Sequence, residues 1–180
     1  VPIVALNVQN ANPYNYADAE KFLMHFDEEI EVANPGAAQL LIDMGIDPFM
    51  VSSSILVICA QRLGRRLCTS CKVAIEEPPR EELLKIGFKE EDFATPFQLF
   101  EPNADGCARC AGGYKGRFPI LETLPMTQRI RRMVVEGRPK DDIKAQAISD
   151  GMLTLRRVGV LNAMRGVTSV QEILRITQEH

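Results

Sequence analysis

The chain's 180 residues suffice for one or two domains with a buried core, and 46% hydrophobic against 25% charged residues is the balance of a globular protein. Twelve glycines and eleven prolines exclude a collagen-like or wholly disordered chain, and a formal charge of −3 weighs against a protein whose main task is gripping nucleic acid or anionic lipid. No run of 18 apolar residues occurs, so nothing reads as a membrane-spanning helix. Residues 1–35 lack the basic start, apolar middle and small-residue cleavage site of a signal peptide, which reads as intracellular, and Val1 in place of Met reads as an excised fragment or a processed start.

Residues 1–8 form an apolar, β-branched run fit for a short strand, broken by an Asn/Pro cluster at 10–15. An amphipathic helix is expected at 17–30, where Phe22, Leu23, Phe26 and Ile30 recur at helical spacing and Asp27, Glu28 and Glu29 face out. After the break at Asn34-Pro35-Gly36, residues 37–44 read as helix with Gly45 as its stop. Pro48 then opens another helix, and the almost entirely apolar stretch 49–60 is expected to be buried. Residues 61–67 alternate polar and apolar side chains, as a strand with one basic face would. Beyond Pro78-Pro79, the charged stretch 80–93 reads as a small exposed helix, and 118–124 as a short strand. Four helices are expected near 127–136, 139–149, 154–165 and 169–178, with Thr127, Thr154 and Thr168 as N-caps and Gly137, Gly151 and Gly166 at their ends. Charge divides the chain in three: four basic against eight acidic residues in 1–67, seven against nine in 68–119, and ten against seven in 120–180.

Five cysteines in an intracellular chain point to metal or catalytic chemistry rather than disulfides. Four of them form two knuckles, Cys68-Thr-Ser-Cys71 and Cys107-Ala-Arg-Cys110, with 35 residues between. Such knuckles suit a tetrahedral Zn²⁺, because each bends around the metal and frees backbone N–H groups for the sulfurs. Four thiolates close the sphere, so the zinc is expected to be structural, in a ribbon-like module with 80–93 inserted. A redox dithiol pair and a metal-free site are the competing readings, and neither knuckle has the strand-to-helix setting of a thioredoxin-like motif. Cys59 reads as an inert core thiol. The segment's negative charge disfavours nucleic acid at this module. Arg109, Lys115 and Arg117 are expected to offset thiolate charge or to pair with a neighbouring domain, and Arg129, Arg131, Arg132, Arg156 and Arg157 to form a solvated helix face or meet an acidic surface. No GxxxxGK[ST] loop is present, and His25 and His180 have no nucleophile or metal partner in readable distance.

Four ordered segments, LIDMGIDPFMVSSSILVICAQRLGRRLC (41–68), the tetracysteine pattern, GYKGRFPILETL (113–124) and DGMLTLRRVGVLNAMRGVTSVQEILRIT (150–177), closely resemble the C-terminal third of the bacterial type II secretion and type IV pilus assembly ATPases. The resemblance covers residues 36–180. It implies an α+β chain divided into a leader of unassigned origin (1–35), the C-terminal edge of a P-loop ATPase core (36–67), a tetracysteine zinc-binding subdomain (68–118) and a helical subdomain (119–180). Carried over by position, it makes Cys68, Cys71, Cys107 and Cys110 the metal ligands and puts Gln61 and Arg62 in the family's AQRL motif. It also implies a hexameric ring that uses ATP and Mg²⁺ to drive pseudopilus or pilus subunit assembly, docked from the cytoplasm on inner-membrane platform proteins. The family's Walker A loop, aspartate box, Walker B strand and histidine box precede the LIDMG helix, and residues 1–35 contain none of them. No catalytic or cofactor-binding residue is therefore assigned, and the chain is expected not to hydrolyse ATP alone, as a fragment or as a degenerate member kept as an interaction module. The alternative is a free-standing zinc-ribbon adaptor for a protein partner.

Overall fold

A computed structural model describes residues 42–178. The strand expected at 1–8, the helix at 17–30, most of the helix at 37–44, His25 and His180 lie outside the described residues. None of the described helices is long and apolar enough to cross a membrane. The described residues divide into two compact units, one containing 42–60 and 123–152, the other 61–122 and 153–178.

In the first unit, Asp47 starts helix α1 (Pro48–Ser54): its carboxylate accepts the Phe49 N–H at 2.8 Å, and Pro48 gives up no hydrogen bond at N1. The expectation that all of 49–60 is buried fails here. A two-turn helix can turn only one face inward, so α1 buries Val51 and Ser52 while Phe49 and Met50 stand 66% and 56% exposed. After Leu56 the chain extends into strand β1 (Val57–Leu67). The unit's core joins Val51 to Leu124, Met126, Ile130, Val134 and Ile143.

Four elements open the second unit after β1. They are β2 (Val73–Ala74), α2 (Arg80–Ile86), a 3₁₀ turn at Glu90–Ala94, and β3 (Phe100–Glu101), which pairs antiparallel with β2. Strand β4 (Tyr114–Pro125) pairs with β1 and alternates as a half-buried strand must, with Phe118, Ile120, Glu122 and Leu124 inward. The stretch 80–93 is less exposed than its charge suggests. Glu81 and Glu82 face water, but Leu83 is fully buried and Phe88 is 4% exposed, with the Phe88, Phe93 and Phe97 rings 5.8–6.4 Å apart.

The four helices predicted downstream are present as α3 (Gln128–Val135) and α4 (Lys140–Ser149) in the first unit and α5 (Leu155–Met164) and α6 (Val170–Ile176) in the second. Thr127 and Thr154 cap α3 and α5 as expected. Ser169, not Thr168, caps α6: its Oγ accepts the Glu172 N–H at 3.2 Å, while the Thr168 hydroxyl donates to the Arg65 carbonyl at 2.9 Å. That bond, with Leu67 N–H donating to the Val167 carbonyl at 2.8 Å, covers the edge of β1 that β4 leaves open. Arg157 does not belong to a solvated face. Its side chain is 11% exposed and grips both oxygens of buried Asp92, and Arg156 donates to the Thr177 carbonyl at 2.9 Å.

Helix α5 meets α6 through Gly159, where an added Cβ would lie 2.6 Å from Ile173 Cγ2 and 2.8 Å from its Cδ1. Gly159→Ala is expected to destabilise the second unit by about 1–3 kcal/mol, the usual cost of overpacking a filled core. Thermal or urea unfolding measures it. An unchanged midpoint would mean that the helices separate freely, contrary to this packing.

Candidate metal centre

Strand β1 delivers Cys68 to the site, its N–H donating to the Gly113 carbonyl at 2.8 Å. The chain then turns tightly, with Cys71 and Lys72 N–H both donating to the Cys68 carbonyl at 3.3 and 3.0 Å. The second knuckle repeats this: Cys110 N–H donates to the Cys107 carbonyl at 3.1 Å, and Cys107 N–H donates to Cys110 Sγ at 3.2 Å. Gly113 permits the closure into β4. Its φ is +79°, and a Cβ there would stand 2.6 Å from Pro102 and 2.7 Å from the Asn103 backbone, so no other residue fits without displacing that loop. Lys72 ties the first knuckle to the end of α5, stacking on Phe100 at 3.9 Å and donating to the Gly166 carbonyl at 2.8 Å.

The four sulfurs lie within 4.8 Å of one another, and no other such group of three or more ligating side chains occurs among the described residues. Cys68 Sγ is 3.8 Å from Cys107 Sγ, and Cys110 Sγ is 3.6 Å from both Cys71 Sγ and Cys107 Sγ. A tetrahedron with metal–sulfur bonds of about 2.3 Å has edges of about 3.8 Å, so the sulfurs already stand at the spacing of a tetrathiolate site. The set fits a metal ion such as zinc.

The crowding of the four thiols shows in their acidities. A hydrogen bond from the Ser70 backbone N–H, aided by the other thiols, lowers Cys68 to about 7, whereas burial and the crowding of the other sulfurs push Cys71 up to about 12. One thiolate is accommodated, and further negative charge at this spacing needs an opposing charge. Cys59 stands outside the group. It lies half-buried in β1 rather than fully buried, and burial raises its thiol. Arg109, Lys115 and Arg117 are exposed and make no ion pair with any described residue.

The sequence did not single out Glu172, the most highly bonded side chain of this unit. Its carboxylate is fully buried and accepts from the Arg65 backbone N–H at 2.9 Å, from Arg65 Nε and Nη2 at 3.0 and 2.6 Å, and from Arg175 Nε and Nη2 at 2.9 and 2.7 Å. A signal was available: Ser169-Val-Gln-Glu172 is an S-x-x-E capping pattern. The carboxylate turns to the two arginines instead of back to the cap.

Compared with known proteins, residues 33–175 match the family described as Type II/IV secretion system protein. Over 140 residues the chain is 45% identical to "Type IV pilus assembly ATPase PilB" of Acinetobacter baylyi, which covers 77% of this chain and 24% of that protein. It is 39% identical over 140 residues to the protein of the same name in Thermus thermophilus, covering 77% of this chain and 15% of that one. It is 38% identical over 145 residues to "Type II secretion system protein E" of Klebsiella pneumoniae, covering 80% and 27%. The chain thus spans about a quarter or less of the length of these relatives. A match over most of its residues, through the tetracysteine segment and both of the helices that follow it in the second unit, makes the chain a member of the Type II/IV secretion system protein family.

Proposed function

We infer that the chain is the zinc-binding and helical C-terminal part of a secretion or pilus-assembly motor ATPase, and that its own contribution is structural and interactive rather than catalytic. In the assembled motor the remaining parts supply the ATP and Mg²⁺ chemistry, copies associate as a hexamer on the cytoplasmic side, and inner-membrane platform proteins are the docking partners. The observation that carries this reading is the sulfur tetrahedron within a chain of this family. Cys68, Cys71, Cys107 and Cys110 would hold one Zn²⁺ with no position left for water, so the ion would order the chain rather than activate a nucleophile.

Metal analysis of the purified chain is expected to give one equivalent of zinc. Cys68→Ser and Cys110→Ser should each lower that content, and Cys59→Ser should leave it unchanged. Equal loss in Cys59→Ser would overturn the ligand assignment, and preparations with intact thiols but no metal would overturn the structural role.

A further inference from the structure

The second unit carries two exposed surfaces of opposite charge. On β4, Arg117, Pro119 and Leu121 alternate with buried Phe118 and Ile120, so they share the outward face of the β1–β4 pair. On β1, Gly64 faces Phe118 and Ile176, which turns its neighbour Leu63 to that same outward face. On this face Leu63 and Leu121 are 47% and 42% exposed, high for leucines. Arg117 lies toward the tetracysteine end of this face, Lys115 lies beyond it across Gly116, whose φ is +78°, and neither has an acidic partner among the described residues. Within the same unit, residues 73–82 expose Val73 at 49% together with Glu76, Glu77, Glu81 and Glu82, none of them in an ion pair with a described residue. Each surface therefore combines apolar area with uncompensated charge, of opposite sign in the two.

We propose that the outward β1–β4 face, with Leu63, Arg117, Leu121 and, beyond its end, Lys115, docks the Val73–Glu82 surface of a second copy of this chain. The two surfaces differ, so the contact is head-to-tail, and each copy keeps one free surface of either kind for the next. Exposed charge pairs add little affinity by themselves, so Leu63, Leu121 and Val73 provide the buried area while the charges set orientation and exclude the reversed pairing. The motor reading has copies associating and does not say which surfaces meet.

Charge exchange on the full chain tests this. In sedimentation velocity the average mass of the unaltered chain should rise with concentration and fall as salt is raised from about 50 to about 500 mM, where screening shortens to a few ångströms. The Lys115→Glu/Arg117→Glu variant should associate about tenfold more weakly or more, and Glu81→Lys/Glu82→Lys likewise, because like charges then face each other. Mixing the two variants should restore association, since each then offers what the other lacks. All replaced residues are exposed, and unchanged zinc content with unchanged circular dichroism would show that each variant folds. A chain that stays monomeric throughout overturns the proposal, as does association that neither variant weakens, and the zinc measurement above stands apart from both results. Binding of the unaltered monomer to vesicles of anionic lipid, lost in the Lys115→Glu/Arg117→Glu variant, would assign the face to a membrane surface and also overturn it.

Discussion

Chelating the metal is expected to unfold α5 and α6 together with the tetracysteine segment while leaving α3 and α4 folded. The family resemblance suggests a zinc-binding subdomain that ends at 118, separate from the helices after it. The packing instead puts Leu83, Phe88, Leu99 and Phe118 of that segment in one core with Val160, Ala163, Ile173 and Ile176 of the last two helices. Backbone and side-chain bonds run the same way, from Leu67 to Val167 and from Lys72 to Gly166. When the two knuckles separate, the walls of this core lose their anchor, and α5 and α6 are too short to persist alone. A ligand held a thousandfold above its dissociation constant contributes about 4 kcal/mol, a large fraction of a small unit's stability. Hydrogen exchange with and without chelator should therefore show protection lost over 61–122 and 155–176 and kept over 128–149. Loss confined to 68–118 would mean that the last two helices stand without the metal.

Glu172 should dominate the polar energetics of the same unit. Burial by itself would raise its pKa, but hydrogen bonds from the side chains of Arg175 and Arg65 and from the Arg65 N–H overcome this and pull it down to about 2 from the usual 4.5. Removing one partner from a buried ionic cluster costs about 3 kcal/mol or more, and the half-exposed guanidinium groups recover part of that from water. Glu172→Gln is thus expected to lose about 2–3 kcal/mol at pH 7 in urea unfolding. Because the folded value lies below the unfolded one, this stabilisation is complete above about pH 4.5 and is lost as pH falls toward 2. The gap between the unaltered chain and Glu172→Gln should close over that window. A gap of the same size at pH 7 and pH 2 would show that the substitution acts through packing rather than charge.

The local elements and the cysteine tetrad were legible because each rests on information contained within a few residues. Cys68, Cys71, Cys107 and Cys110 announce themselves by knuckle spacing, and their sulfurs come together as that spacing requires. The last four helices were legible from three threonines near their starts and three glycines at their ends, and those glycines, Gly137, Gly151 and Gly166, have positive φ. The strand at 61–67 follows from alternation. What the sequence could not decide depends on which residues distant along the chain become neighbours. Arg157 reads as a solvated charge until Asp92, 65 residues earlier, is seen to meet both its terminal nitrogens. Thr168 and Ser169 are equally good caps on paper, and the Arg65 carbonyl, by taking the Thr168 hydroxyl, settles which one serves. Phe49 and Met50 look like core by composition, yet a short helix offers the interior only one face. The joining of α5 and α6 to the tetracysteine segment has the same origin: periodicity shows that a helix has an apolar face, and only tertiary packing shows what that face meets.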